Sequence, residues 1–138
     1  LSLPVLEQVA HVWLSQAGYR DIEWIKRVDR SAYASAQSPD LGAVLIGVRS
    51  GDQPVDRRGV GELRAGVAAK NLAAGVLLAA RPLSGEALSE LEKAGKPLLA
   101  MCGDALVTAL MSARIGVQTA AVPVVYLDVD YFEELRRE

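Results

Sequence analysis

Few side chains in this sequence could carry nucleophilic or zinc chemistry. The 138-residue chain has one cysteine, Cys102, and one histidine, His11. A nucleophilic cysteine needs a neighbouring base, but His11 lies among polar residues, off the apolar side of the predicted first helix. These two residues alone also exclude a disulfide framework and the usual zinc sites. We therefore expect Cys102 to be a buried structural thiol and His11 to face solvent.

Two further patterns that could bind a ligand are incomplete. Gly59 and Gly61 precede a predicted helix, as in dinucleotide-binding turns, but Arg64 stands where the third glycine belongs. The sequence also has no phosphate-loop GK[ST] motif. Near the C-terminus, Asp128 begins a run of carboxylates on a predicted helix (128–137), where such charges usually form a solvated face. We expect neither a nucleotide site nor a metal site from these patterns.

The most informative constellation surrounds two predicted strands. Glu7 stands on the first helix, Asp40 stands in the turn between the strands, and the second strand ends at Arg49. Metal-dependent nucleases hold divalent-ion ligands beside a charged side chain on a strand pair of this layout. The layout is therefore that of a nuclease site, and its residues need to be compared with the ligands that such a site requires.

These residues are positioned by a predicted order of α-β-β-β-α-β-α-β-α-β-α. The first helix repeats apolar residues at helical spacing from Leu6 to Ala17. Three strands follow within residues 22–48, and a proline–glycine turn at 38–42 joins the last two. Strands that alternate with helices pair in parallel. Further helices are predicted at residues 60–72, 84–94 and 104–112. Further strands are predicted at residues 75–80, 97–101 and, as an edge strand, 122–127.

Length and composition indicate one α/β domain over residues 1–138. The 51% hydrophobic content excludes disorder, and the formal net charge of −2 excludes a generally basic coat for nucleic acid. No apolar run reaches the roughly 20 residues of a membrane span, and no signal peptide is visible. We expect a cytoplasmic domain with no membrane partner. The chain begins with Leu1 rather than methionine, as a piece excised from a longer protein would.

Five segments share their order and spacing with one known family. Residues 6–19 are similar to its opening helix and GY exit, and residues 43–49 (AVLIGVR) lie where it has VVQCK. Residues 75–87 resemble its GVLVTT…FS.EA pattern, and residues 94–106 resemble AGI.LIDGE.L. Residues 126–134 (YLDVDYFEE) resemble LDEDYFEE. Over nearly the whole chain, the sequence resembles the Mrr-like restriction endonucleases of the PD-(D/E)xK nuclease superfamily.

The resemblance implies a restriction-endonuclease-like fold, with a mixed central sheet (an antiparallel meander, then parallel strands) flanked by helices. It also places Gly47 at the metal-ligand Gln/Glu position, Arg49 at the lysine and Ser35 at about the aspartate. Gly47 has no side-chain oxygen, Arg49 stays charged near neutral pH and Ser35 is a poor ligand for Mg²⁺. Glu7 matches the family. Pro39 and Asp40 together match the superfamily's PD dipeptide, but Asp40 lies in the turn. These departures predict a degenerate site that holds no metal.

We therefore expect a catalytically inactive nuclease-fold domain that serves DNA binding or DNA targeting in a larger protein or defence system. Arginine forks suit phosphate oxygens. The residues expected to contact the phosphates of double-stranded DNA are Arg27, Arg30, Arg49, Arg57 and Arg58. Two alternatives stay open: a module for protein–protein interaction or self-association, and a residual DNA endonuclease. Only the endonuclease would need a cofactor, Mg²⁺.

Overall fold

A five-stranded mixed sheet flanked by four helices organises the chain. The computed structural model describes residues 2–93, 95–112, 117–119 and 125–127. In chain order the elements are α1 (Leu3–Gln16), β1 (Arg20–Val28), β2 (Ser31–Ser38), β3 (Gly42–Arg49), α2 (Arg57–Ala69), β4 (Ala74–Ala79), α3 (Gly85–Leu91), β5 (Leu98–Cys102), α4 (Asp104–Ser112), β6 (Val117–Thr119) and β7 (Val125–Leu127). None of the described helices is long and apolar enough to cross a membrane.

The sheet has the spatial order β1-β2-β3-β4-β5. Strands β1 to β3 form an antiparallel meander, and β3, β4 and β5 pair in parallel. This arrangement confirms the predicted mixed sheet. The parallel strands read as continuous apolar runs because helices cover both of their faces.

The β2–β3 hairpin is paired without a bulge, from Ser31 opposite Arg49 to Ser38 opposite Gly42. The Ser38 hydroxyl accepts hydrogen bonds from the backbone N–H groups of Asp40 and Leu41, both at 3.2 Å, and so closes the turn. Because successive side chains of a strand point to opposite faces, the unbroken pairing fixes which residues share a face. Odd-numbered positions of both strands face α2, and even-numbered positions face α1.

Two apolar layers hold the helices against the sheet. One contains the buried side of α1, the even-numbered hairpin residues and two leucines of α4. The other contains the buried side of α2, Tyr33, Leu45 and Leu77 from the sheet, and Ala87 of α3. Helix α2 approaches the sheet most closely at Gly66, where a Cβ atom would lie 2.6 Å from Leu45 Cδ2. Any side chain at position 66 would therefore require Leu45 to shift.

Side chains of α2 also form hydrogen bonds and ion pairs with α3. A guanidinium nitrogen of Arg64 donates to the backbone carbonyl of Glu90 at 2.6 Å, near the C-terminal end of α3. The Glu90 carboxylate, almost buried, lies 3.6 Å from Arg64 and 2.6 Å from Lys93 Nζ. Arg57 approaches the same carboxylate at 3.8 Å. The two helices thus share one carboxylate surrounded by three cations.

The structure corrects two boundaries. Helix α2 begins at Arg57 rather than Val60 because the Asp56 carboxylate accepts the backbone N–H of Gly59 at 2.9 Å and caps the helix. At the C-terminus, β7 pairs with the unpredicted strand β6 in a separate sheet, instead of extending the main one. Three-residue β6 is too short for a periodicity signal. Residues 122–124 and the predicted helix at 128–137 lie outside the described residues.

Candidate functional site

A cleft opens where the β1–β2 turn, the end of β3 and the start of α2 meet. Its volume is about 420 Å³. Six charged residues line it: Asp29, Arg30, Arg49, Asp56, Arg58 and Glu62. We call this site the arginine cleft, because three guanidinium groups from three different elements converge there.

Arg49 is the best-anchored cation of the arginine cleft. Its Nη1 atom donates to the buried Ser31 hydroxyl at 3.2 Å, and Nη2 lies 4.0 Å from Asp56 Oδ1. The side chain keeps 27% of its surface exposed. Gly59 leaves room for it, since a Cβ there would lie 3.4 Å from Arg49 Nη1. The guanidinium is thus held at one edge and open to solvent at another.

The other two arginines reach the cleft differently. Arg58 Nε donates to Glu62 Oε1 at 2.9 Å, one helical turn further along α2. Arg30 lies against Gly51, where a Cβ would be 3.1 Å from Arg30 Nη1. Gly51 has a φ of +119°, in the region that favours glycine. The loop after β3 therefore bends tightly enough to bring Arg30 beside the end of that strand.

Gly47 lies on the α2 face, packed against two core side chains. A Cβ there would lie 3.4 Å from Leu63 Cδ1 and 3.4 Å from Tyr33 Cε1. Leu63 is fully buried and Tyr33 nearly so. Any longer side chain at position 47 would have to displace one of these two residues.

Tyr33, and not Ser35, lies opposite Gly47. Ser35 is half-buried and pairs with Leu45, one position further along the same face. Burial raises the pKa of the Tyr33 hydroxyl, and the nearby Glu62 carboxylate raises it further. Tyr33 therefore remains a neutral phenol at physiological pH.

Ser31, Tyr33 and Glu62 are site residues that sequence reasoning missed. The hairpin turn contained the signal for the first two. Counting outward from its centre at Asp40 pairs Ser31 with Arg49 and Tyr33 with Gly47, as observed. Glu62 had no such signal, because its position depends on how α2 packs against the sheet.

Glu7 and Arg27 lie on the opposite face of the sheet. Arg27 donates two hydrogen bonds to the Glu7 carboxylate, one of them at 3.1 Å. Four hairpin residues that face this side near Arg49 are apolar and fully buried: Ala32, Ala34, Ile46 and Val48. Neither residue therefore meets Arg49, and Glu7 has no strand carboxylate beside it.

Asp40 and Arg57 are also separated from Arg49. Asp40 is exposed in the β2–β3 turn, at the far end of a strand that spans roughly 24 Å at 3.4 Å per residue. The fully paired hairpin leaves no shifted register that would bring it closer. Arg57 points towards Glu90 and α3. Of the predicted phosphate-contacting residues, Arg30, Arg49 and Arg58 therefore share the arginine cleft.

The residues of the cleft do not fit a divalent metal ion of the kind that the resemblance implies. Mg²⁺ prefers carboxylates in octahedral geometry, but Gly47 supplies no side-chain oxygen and the side chains of Ser31 and Tyr33 supply only hydroxyls. Asp56 is engaged as the helix cap and Glu62 with Arg58. Throughout the described ranges, no three His, Cys, Asp or Glu side chains are placed to hold a metal ion together.

Cys102 and His11 both lie outside the lining of the arginine cleft. The Cys102 thiol is half-buried at the end of β5 against the α2-side core, and burial raises its pKa to about 11. His11 is exposed, and its Nδ1 accepts a hydrogen bond from Trp24 Nε1 at 3.2 Å. His11 is thus exposed as the sequence predicted, whereas Cys102 is half-buried rather than fully buried.

Comparisons with known proteins agree with this fold. The chain is similar to the DNA modification-dependent restriction endonuclease AspBHI, with 18% identity and a TM-score of 0.58 over 98% of this chain and 38% of that one. It is also similar to the MspJI restriction endonuclease in complex with a 27-mer oligonucleotide, with 18% identity and a TM-score of 0.50 over 78% of this chain and 26% of that one. No curated protein matches the sequence.

The chain thus spans well under half the length of the two solved structures. The family model Mrr_cat, described as a restriction endonuclease, matches residues 1–110. With most of its length inside that match, the chain belongs to the Mrr_cat restriction endonuclease family.

Proposed function

We propose that this domain binds double-stranded DNA through the phosphate backbone without cleaving it, as a DNA-targeting part of a larger protein. The observation that carries the proposal is the guanidinium of Arg49. It stands at the end of β3, anchored on Ser31, beside a Gly47 position closed by Tyr33 and Leu63. By the family resemblance, Arg49 puts a permanent cation where the family has a lysine. Gly47, at the family's metal-ligand position, has no side-chain oxygen.

The arginine cleft is formally neutral, with three arginines and three carboxylates, so anion binding there depends on the arginines whose charge is not already paired. Arginine forks bind phosphate oxygens with two parallel hydrogen bonds. Two cleft carboxylates already have partners, because Asp56 accepts a backbone N–H and Glu62 accepts from Arg58. The nearest carboxylate oxygen to Arg49 is 4.0 Å away, which leaves its charge only partly compensated. DNA as the partner class is supported by the oligonucleotide bound to the similarly folded MspJI.

Salt-dependent binding of a short labelled duplex tests the proposal by fluorescence anisotropy. Between about 50 and 200 mM NaCl, log affinity falls linearly with log salt, and we expect Arg49→Ala to make this negative slope shallower by about one, because one phosphate contact is lost. Arg20→Ala is the matched control, since Arg20 is an exposed arginine at the far end of the hairpin. Absence of binding at low salt, or equal slopes for wild type and Arg49→Ala, would favour the interaction-module alternative.

A second assay separates binding from cleavage. We expect supercoiled plasmid to stay intact with Mg²⁺ or Mn²⁺, because the cleft does not hold the carboxylates that a metal would need. Glu62→Gln is the control, since Glu62 is a cleft carboxylate close to Tyr33, the residue opposite Gly47. Cleavage by the wild type that Glu62→Gln abolishes would establish a residual metal-dependent endonuclease instead.

A further inference from the structure

An apolar groove lies between β1 and α2, with a volume of about 350 Å³. Its walls include Ile25 and Val28 of β1 and Ala65 and Ala69 of α2, with Tyr33 below them. Ile25 and Val28 are 41% and 43% exposed, so that both contribute apolar surface to the walls. The groove is therefore a lined recess whose apolar surface is open to a ligand.

The apolar groove is continuous with the arginine cleft. Val28 and Glu62 line both, so that the two recesses meet at these side chains. A ligand that filled both would need an anionic group for Arg30 and Arg49 and, next to it, an apolar group with a few polar atoms. A nucleotide has this composition, with its phosphate joined through a sugar to a flat base.

Resting on the proposed function, we infer that the apolar groove holds the base of one unpaired nucleotide in a bound DNA strand, with its phosphate in the arginine cleft. A base within a duplex is stacked and cannot enter a recess between a strand and a helix. Extruding it costs a few kcal/mol, and least where the base is already unpaired. The inferred ligand is therefore a strand with a bulged or mismatched nucleotide.

The polar atoms at the groove include one acceptor group and two donors. The Glu62 carboxylate accepts from Arg58 through Oε1, so that a base would bind it through Oε2, and cytosine N4 donates a hydrogen bond. Lys26 and Lys70 also line the groove and can donate to the ring acceptors of cytosine, and Lys26 Nζ lies 5.9 Å from the centre of the Tyr33 ring. Thymine presents the O4 acceptor at the corresponding position and would meet the carboxylate with like polarity. Cytosine should therefore bind better than thymine, and the two have the same ring size.

The test compares two labelled duplexes, one fully paired and one with a single bulged cytosine. We expect the wild type to bind the bulged duplex about tenfold more tightly. Ala65→Leu fills the groove and should bring the two affinities together. Ala68→Leu is the matched control, because Ala68 is exposed on the same helix but does not line the groove, and it should keep the preference. Ala69→Leu, one turn along, is the second variant if Ala65→Leu unfolds.

A bulged thymine and the Glu62→Gln variant test the polar contact. We expect the wild type to prefer bulged cytosine to bulged thymine by about tenfold, as for a hydrogen bond to a charged acceptor. Glu62→Gln should lose most of that difference, since an amide can donate as well as accept.

Equal binding of bulged and paired duplexes by the wild type overturns the inference and leaves the proposed function standing. Binding of neither duplex overturns the proposed function. Displacement of the bulged duplex by equimolar free cytidine monophosphate also overturns the inference, because the site would then take free nucleotides.

Discussion

Substituting the glycines of α2 measures how closely this helix sits on the sheet. Gly61 and Gly66 are both inside the helix, but their surroundings differ. A Cβ at Gly61 would meet only Glu90 Oε1, at 3.9 Å, whereas a Cβ at Gly66 would lie 2.6 Å from Leu45 Cδ2. Gly61→Ala and Gly66→Ala are therefore the same chemical change, made once in open space and once against the core.

Two opposing effects set the expected magnitudes. Replacing glycine by alanine inside a helix stabilises it by about 1 kcal/mol. At Gly66, carbon atoms would have to move apart by about 1 Å to reach an ordinary contact of roughly 3.5–4.0 Å. Leu45 is only 2% exposed, so this strain should cost about 1–3 kcal/mol. We expect Gly61→Ala to be stabilising by about 1 kcal/mol, and Gly66→Ala to lie about 2 kcal/mol below it.

Urea unfolding at neutral pH gives these free energies, provided that the slope against denaturant is the same for each variant. A double-mutant cycle with Leu45→Ala then isolates the contact. Without the Leu45 methyl groups, Gly66→Ala should stabilise the chain as much as Gly61→Ala does. Equal stabilisation by both glycine variants in the presence of Leu45 would refute the close packing of α2 on β3.

Two further predictions concern ionisable groups. The hydrogen bond from Lys93, together with the nearby Arg57 and Arg64, lowers the pKa of Glu90. Its stabilising effect is therefore present above the usual pKa of 4.5 and is lost as the pH falls through the lower folded value. The unfolding free energies of wild type and Glu90→Gln should consequently differ most near pH 7 and converge in acid, and a constant difference would contradict this. The Cys102 thiol, with a pKa of about 11, should react slowly with a disulfide reagent at pH 8 and rapidly once urea unfolds the chain; equal rates would mean that the thiol is not buried.

Local signals accounted for most of the sheet. The turn at residues 38–42 and the apolar run of β3 are encoded within a few neighbouring residues, and each appears where the sequence predicts it. The start of α2 was predicted three residues late, because Gly59 resembles a loop residue until Asp56 is recognised as its cap. The helix propensities of single residues do not capture a side-chain cap such as the one that Asp56 forms.

The site was less predictable because it depends on contacts between distant segments. Counting along a family pattern identified Ser35 but not Tyr33, which the strand pairing puts opposite Gly47. Arg27 was grouped with Arg49 by charge, yet the two lie on opposite faces, because Arg27 pairs with Glu7 of α1. Composition and spacing do not encode which face of a sheet a charge occupies when the strand itself is irregular, as β1 is.

The shared carboxylate between α2 and α3 has a consequence for local unfolding. Helix α3 has seven residues, too few to be stable alone in water. Its C-terminal carbonyl at Glu90 is satisfied by Arg64 of α2, so α3 loses this partner whenever α2 detaches from the sheet. The two helices therefore form one cooperative unit, and the amide protons of α3 cannot be better protected from solvent exchange than the docking of α2 allows.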